Sequence, residues 1–532
     1  MIVIKCKNNS DLNRVYHLTK AFFPGKEIQQ QINIEQEPQL EFVLDDGSCF
    51  TVLSDKASTD EKDEESIDES KETLIKKVYD YLSEYTNKTL PWGILTGVRP
   101  TKLVMKMVME GTEKVNERDK EESETILREK YYLSKEKAKL AVEVATKEKE
   151  TLEPLDLEDG FSLYVSIPFC PSICSYCSFG SGELGKWHKQ VDEYVETLCD
   201  EIVSVGTRAH PLRKLNTIYI GGGTPTTLNT EQFGRLFDAI KEAFSLEHLI
   251  EYTVEAGRPE TITKEKLRLF KKEGVTRISI NPQSMNQQTL DRVGRQHKVM
   301  DIVEAFWLAR EEGFDNINMD LIIGLPGEGV VEIHSTLAQI KELGPDSLTI
   351  HTLAMKRGSE ASNEHKEKIE AEKRDHRKNH REEVVNKENT NQMEDNGNQL
   401  KANQTEDNYA EEIKKEDNIN EMLNLCYDAA KEMGLSPYYL YRQKNIAGNF
   451  ENVGFAKVDK AGIYNILMIE ELQTIIGVGV GATTKILTRE KKAKKNENEA
   501  GRGEEFSLTI WRRANTKEIR KYIAEGGREF TL

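Results

Sequence analysis

From Leu163 onward, short apolar runs alternate with stretches in which apolar residues recur every three to four positions. The runs at 163–167, 217–220, 252–255, 277–281, 317–323 and 348–351 are rich in β-branched residues and predict strands. The stretches between them, near 188–206, 230–244, 263–273, 299–313 and 330–343, predict helices. Six near-continuously hydrophobic strands separated by helices predict an α/β fold with a parallel sheet covered by helices. In such sheets chemistry gathers at the carboxyl ends of the strands.

The pattern changes on both sides of this region. Residues 1–155 read as a separate α+β domain, with strands at 2–6, 40–44 and 49–53, the last two joined by the turn Asp45-Asp46-Gly47-Ser48. Leu74, Val78, Tyr81, Leu82 and Tyr85 share one face of a helix over 72–85. The charge run from Ser58 to Lys71 reads as a solvated loop passing into it. Further helical pattern fills 101–150. The α/β region is expected over 156–357. Residues 358–418 hold almost no large apolar side chain and read as a disordered polar insertion, its His365, His376 and His380 solvated rather than ligating. Residues 419–532 are expected to form a smaller substrate-covering domain, with a helix at 419–431 and a polar insert near 489–504.

Composition narrows the setting. Among 532 residues, 74 Lys and Arg face 92 Asp and Glu, a formal charge of −18 that disfavours nucleic acid as a partner. Of seven cysteines, three share one loop, while Cys6, Cys49, Cys199 and Cys426 are scattered singly, as in a reducing compartment. The first residues lack an apolar signal core and no apolar run reaches spanning length. A cytoplasmic protein with no membrane partner is expected.

The three clustered cysteines follow the first strand of the α/β region. Pro168 ends that strand, and Cys170, Cys174 and Cys177 come next with C-x3-C-x2-C spacing. Thiolates this close can converge on one soft-metal centre; three are one short of the four that usually complete an iron–sulfur cluster, which would leave one iron open. Zinc with a distant histidine is an alternative. The second strand ends in Gly221-Gly222-Gly223-Thr224-Pro225, which is either a tight turn or a backbone cradle for a polar ligand. Glu255, Gln283 and Asp320 end the next three strands, and Arg295 lies in Val293-Gly-Arg-Gln-His297. Each alone could be solvated or cap a helix; together they ring one pocket. Arg442 and Lys444, among Tyr438, Tyr439 and Tyr441, and secondarily Arg99 in the 90–102 stretch rich in Gly and Pro, are candidate rim cations. An aromatic core strand with surface cations accounts for the same residues.

The cysteine spacing, with Tyr176 before the last thiol, resembles the radical S-adenosylmethionine (SAM) superfamily. Leu163 to Cys170, Gly221 to Pro225, Val254-Glu-Ala, Gln283, Val293 to His297 and Asp320 to Gly327 together resemble the oxygen-independent coproporphyrinogen III oxidase family. The stretch Pro91-Trp-Gly-Ile-Leu-Thr-Gly-Val-Arg-Pro-Thr-Lys102 and the run from Tyr439 to Asn445 resemble its HemZ-type branch. The resemblance implies a partial (β/α)6 barrel with an N-terminal α+β domain and a smaller C-terminal domain. It also implies a [4Fe–4S] cluster on Cys170, Cys174 and Cys177. By the same resemblance SAM would meet Tyr164, Gly222, Gly223, Thr224, Glu255, Gln283, Arg295, Asp320 and Ala354. The implied reaction is oxidative decarboxylation of coproporphyrinogen III to protoporphyrinogen IX, with electrons from a low-potential donor such as flavodoxin or ferredoxin. Phe179 stands where the well-characterised oxidase has a further cysteine, as in the related haem chaperones. Haem carriage is therefore the alternative function, with His351 as its candidate axial ligand.

Overall fold

A computed structural model describes residues 1–24, 26–32, 38–53, 64–97, 99–109, 116–177, 182–209, 214–353, 418–442, 450–491 and 506–526. The chain divides into two units, Met1–Glu150 with Leu440–Glu451, and Thr151–Tyr439 with Asn452–Leu532. Ala354, Phe179, Lys444 and most of both expected polar inserts lie outside the described residues.

The first unit opens with β1 (Ile2–Cys6), whose alternate residues are buried. Helix α1 (Asn9–Phe22) follows, its first turn capped by the Asn8 side chain accepting from the Asp11 N–H at 2.8 Å. The helix carries the chain to β2 (Ile28–Ile32), parallel to β1, a β–α–β crossover. Then β3 (Pro38–Val43) and β4 (Cys49–Leu53) form an antiparallel hairpin, and the sheet order is β2-β1-β3-β4. Strand β2 escaped the periodicity because Ile-Gln-Gln-Gln-Ile lies on an edge with four of its five residues exposed. Helix α2 (Glu64–Thr86) packs Leu74, Val78 and Leu82 onto Ile4, Leu18, Phe22 and Phe42. It starts earlier than the sequence suggests: Glu64 to Lys71, read above as loop, is already helical, since Glu and Lys are good helix formers that leave no apolar trace. Helices α3 (Thr101–Met109), α4 (Glu117–Tyr131) and α5 (Lys135–Leu152) follow.

The late segment Leu440–Glu451 is bound into this unit by a buried polar cluster. Glu451, fully buried, accepts from Trp92 Nε1 at 2.7 Å and pairs with Lys137. Arg442 lies over the Trp92 ring, 5.7 Å from its centroid, and donates to the Leu95 carbonyl at 2.5 Å. Burial lowers the Arg442 pKa to about 10, against the Glu451 charge. Arg442 is 2 % exposed, which corrects its reading as a rim cation: the guanidinium is committed to the interior. Glu451→Ala strips buried Lys137 of its carboxylate, and urea unfolding of the whole chain should show a loss of about 3–5 kcal/mol.

The second unit is built on β5 (Gly160–Ile167), β6 (Phe169–Cys170), β7 (Gly182–Glu183), β8 (Lys214–Gly222), β9 (Glu251–Glu255), β10 (Arg277–Ser279), β11 (Ile317–Ile323) and β12 (Ser347–Thr352). Strands β5, β8, β9, β10, β11 and β12 are neighbours in that order, every pair parallel. Between them run α6 (Leu184–Trp187), α7 (Val191–Ala209), α8 (Thr230–Ala243), α9 (Lys264–Lys272), α10 (Gln287–Arg292), α11 (Val299–Glu311) and α12 (Val330–Leu343). This is the expected six-fold β/α succession. Its strands are buried nearly throughout, as their continuous hydrophobicity requires.

The C-terminal part adds β13 (Ser436–Arg442), β14 (Glu451–Ala456), β15 (Thr474–Val478), β16 (Thr483–Lys491) and β17 (Phe506–Ala514). These join the same sheet, β14 antiparallel to β12 and β15 parallel to β5, for eleven strands among the described residues. The helix Ile463–Glu470 covers the amino ends of the parallel strands. Its Ile463 N–H donates to Glu251 at 2.5 Å, and Tyr464 stacks on Tyr219 at 4.5 Å between centroids. Beside it, buried Arg277 donates to Ser347 Oγ at 3.0 Å. With that end filled, the carboxyl ends are left for chemistry. Among the described residues no helix is long and apolar enough to cross a membrane.

Candidate active site at the carboxyl ends of the strands

Strand β5 stops before Pro168, and Phe169 and Cys170 pair as β6 with β7. The glycine turn after β8 lies directly against them. The Gly223 N–H donates to the Ile167 carbonyl at 2.8 Å and the Thr224 N–H to the Phe169 carbonyl at 2.7 Å. Gly222 has φ +112°, a region closed to other residues without strain. A Cβ on Gly223 would come within 2.7 Å of the Phe169 carbonyl and 3.0 Å of Cys170 Sγ. Thr224 Oγ1 donates to that sulfur at 3.4 Å.

The rest of the cysteine loop is pinned to the turn after α10 and to the segment just past β9. Cys177 N–H donates to the Cys174 carbonyl at 2.9 Å, Ser175 N–H to the Val293 carbonyl at 3.1 Å, and Ser172 Oγ to the Gly294 carbonyl at 3.0 Å. Arg258, just past β9, donates to Cys174 Sγ at 3.5 Å. The three sulfurs do not form a ready coordination group: among the described residues no three His, Cys, Asp or Glu side chains are grouped to hold a metal ion. Ligand convergence and metal binding are coupled processes.

Behind the loop, Arg295 donates to the Gly257 and Asn281 carbonyls, each at 2.7 Å, and to the Tyr176 hydroxyl at 3.4 Å. Among the described residues its Nε is buried with no partner. Gln283, at φ +66°, is held by backbone bonds to β11, and its side-chain Oε1 is likewise buried and unpartnered. Asp320 Oδ1 accepts from Asn318 at 2.7 Å, and Oδ2 lies 3.9 Å from His351 Nε2. Burial alone would raise the Asp320 pKa; nearby His351 and the hydrogen bond from Asn318 outweigh it and hold the carboxyl below its usual range. Tyr164 stands in a stack with Tyr219 and Tyr464, each 6.2 Å from it between centroids.

Glu255 goes the other way. Burial pushes its pKa up to about 7, against the Tyr219 hydroxyl, which donates to it at 2.5 Å, and with the Asp320 charge adding to the rise. A raised carboxyl pKa contributes stability that is complete below the ordinary value of 4.5 and is lost as pH climbs through about 7. Glu255→Gln should therefore flatten a decline in unfolding free energy across that window, read by denaturant titration of both proteins at stepped pH.

Of the remaining candidates, Arg99 is half-buried in the first unit, and Ala354 and Lys444 fall outside the described residues. Sequence reasoning passed over Arg258, Tyr219 and Tyr464. Arg258 lies three residues past Glu255, so the rule that selected Glu255 extends naturally to it; the tyrosines read as ordinary core aromatics.

Residues 164–340 match the Radical SAM superfamily. That superfamily works with a [4Fe–4S] cluster and SAM, and this chain's residues fit both. Three soft thiols share one loop, a glycine cradle without room for a Cβ adjoins them, and two buried polar atoms, Arg295 Nε and Gln283 Oε1, await partners. The chain is 37 % identical over 194 residues to the haem chaperone HemW of Bacillus subtilis, covering 36 % of this chain and 50 % of that one. It is 36 % identical over 200 residues to oxygen-independent coproporphyrinogen III oxidase of Escherichia coli, covering 37 % and 42 %. The similarity to the oxygen-independent coproporphyrinogen-III oxidase-like protein HemZ of Bacillus subtilis is broader: 38 % identity over 438 residues, 81 % of this chain and 77 % of that one. A likeness of that identity and extent makes the chain a member of the radical SAM family of oxygen-independent coproporphyrinogen III oxidase-like proteins, in its HemZ-like branch.

Proposed function

We propose that the chain decarboxylates two propionates of coproporphyrinogen III to vinyl groups, giving protoporphyrinogen IX, as an enzyme of anaerobic haem biosynthesis. The observation that carries this reading is the extent of similarity: 77 % of the oxidase-like protein HemZ is spanned, against half of the haem chaperone HemW. Cys170, Cys174 and Cys177 would hold the cluster. The backbone of Gly222, Gly223 and Thr224 would receive the amino-acid end of SAM, and Arg295 and Gln283 would offer it the two unpartnered polar atoms. Glu255, Asp320 and Tyr164 would face its nucleoside. When bound, cluster and SAM supply one-electron hydrogen abstraction. The chain's own task is to orient a propionate and exclude water, and no acid–base group needs to act on the substrate. A tetracarboxylate calls for cations, and Arg99 and Lys444 are the candidates left once Arg442 is placed in the interior. A low-potential flavodoxin or ferredoxin would supply electrons.

The test is anaerobic. Protein with reconstituted cluster is given SAM, a low-potential reductant and coproporphyrinogen III, and tetrapyrroles are followed by mass. Loss of two carboxyls in step with 5′-deoxyadenosine is the expected result. The second reading, haem carriage, draws on the 37 % identity to HemW. SAM cleavage without decarboxylation, together with stoichiometric haem uptake, would move the function to it.

A further inference from the structure

We propose that Arg258 is a positioning residue for the iron–sulfur cluster, one that also raises the cluster's reduction potential through its bond to Cys174. The inference rests on the assignment of Cys170, Cys174 and Cys177 as cluster ligands and is independent of which substrate the enzyme takes.

The guanidinium is buried and each of its nitrogens is used. Nε donates to Glu260 Oε1 at 2.9 Å, and NH2 donates to Ser172 Oγ at 2.8 Å. NH1 reaches the Ser172 carbonyl at 3.4 Å and Cys174 Sγ at 3.5 Å. Buried His297 lies beside Glu260, its Nδ1 3.0 Å from Glu260 Oε2. One planar cation thus clamps the middle of the cysteine loop to the end of β9, with the carboxylate on one edge and the sulfur on the other. A lysine could not serve both edges, because its ammonium is a single point.

A donor aimed at a cluster sulfur favours the state carrying more negative charge, and hydrogen bonds to sulfur are among the factors that set cluster potentials. The reduced cluster is that state. Arg258 therefore makes reduction easier, at a step the low-potential donor must drive.

Two measurements test this with Arg258→Met and Arg258→Lys. First, hydrogen exchange of residues 170–177 in the cluster-free chain: both variants should exchange at least tenfold faster there than the wild type, while β5 and β8 stay protected. Second, potentiometric titration of the reconstituted cluster, followed by electron paramagnetic resonance. Arg258→Met should move the midpoint to more negative potential by about 59 mV, a tenfold change in the ratio of reduced to oxidised cluster for one electron; Arg258→Lys should fall between it and the wild type. An unchanged midpoint in Arg258→Met, with iron content equal to the wild type, overturns the proposal. A wild-type chain that takes up no cluster would instead overturn the ligand assignment on which it rests.

Discussion

Cys174→Ala is expected to abolish SAM cleavage while leaving the chain folded. The three thiols are already one short of a full cysteine ligand set, so a further loss leaves two protein ligands for four irons. Formation of 5′-deoxyadenosine should drop at least about a thousandfold, equivalent to about 4 kcal/mol or more at ~1.4 kcal/mol per decade. Stability should hardly move. Cys174 is only half-buried, and its sulfur accepts one long bond, from Arg258 at 3.5 Å, so its removal should cost about 1 kcal/mol or less. Iron content, circular dichroism and mass-spectrometric quantitation of 5′-deoxyadenosine separate the two effects. Undiminished 5′-deoxyadenosine from the variant would sink the assignment of Cys174 as a ligand.

The second large effect is expected at Gly223. A methyl there would press on the Phe169 carbonyl at 2.7 Å, Cys170 Sγ at 3.0 Å and the Ile167 carbonyl at 3.1 Å. Two of these neighbours are backbone and cannot rotate away. Both also accept the hydrogen bonds that join the glycine turn to the cysteine loop, so relief means parting the loop from the turn. Overpacking of this kind costs about 1–3 kcal/mol. Spent at the proposed SAM cradle, it should weaken SAM binding about tenfold to a hundredfold, measured by equilibrium dialysis on reconstituted protein. Gly234→Ala is the control. It lies within α8, its added Cβ would meet nothing within 4 Å, and it should stabilise the chain by about 0.5–1 kcal/mol. Equal SAM affinity in Gly223→Ala and wild type would remove the glycine turn from the site.

What could be read from the sequence follows from burial. Strands covered on both faces write themselves as unbroken apolar runs, so β11 has the expected limits and β5, β8, β9, β10 and β12 differ only at their ends. Helices with one buried face were equally plain. Elements in water were not: β2 shows the periodicity of nothing, and the charged first turns of α2 looked like loop. At the site, the strand-end rule placed Glu255 correctly at the end of β9, whereas Asp320, expected at a strand end, lies in the middle of β11, and Gln283 comes four residues after β10. It could not rank a loop cation such as Arg258, whose importance comes from two partners distant in sequence, Ser172 and Cys174. The same blindness misplaced Arg442. A cation among tyrosines looks like a rim residue until Trp92 and Glu451 are known to surround it.

The return of Leu440–Glu451 to the first unit also bears on how the protein is made. A ribosome has released the first 150 residues long before it reaches the carboxylate that Trp92 and Lys137 require. The gap is about 300 residues, or about 15 to 60 s at ~5–20 residues per second. Throughout that interval the nascent N-terminal unit carries an unfilled polar seam, and the sheet of the second unit is synthesised while the first is still incomplete. The two units are therefore obliged to finish together, and an N-terminal fragment ending at Glu150 should be a substrate for chaperones rather than a domain.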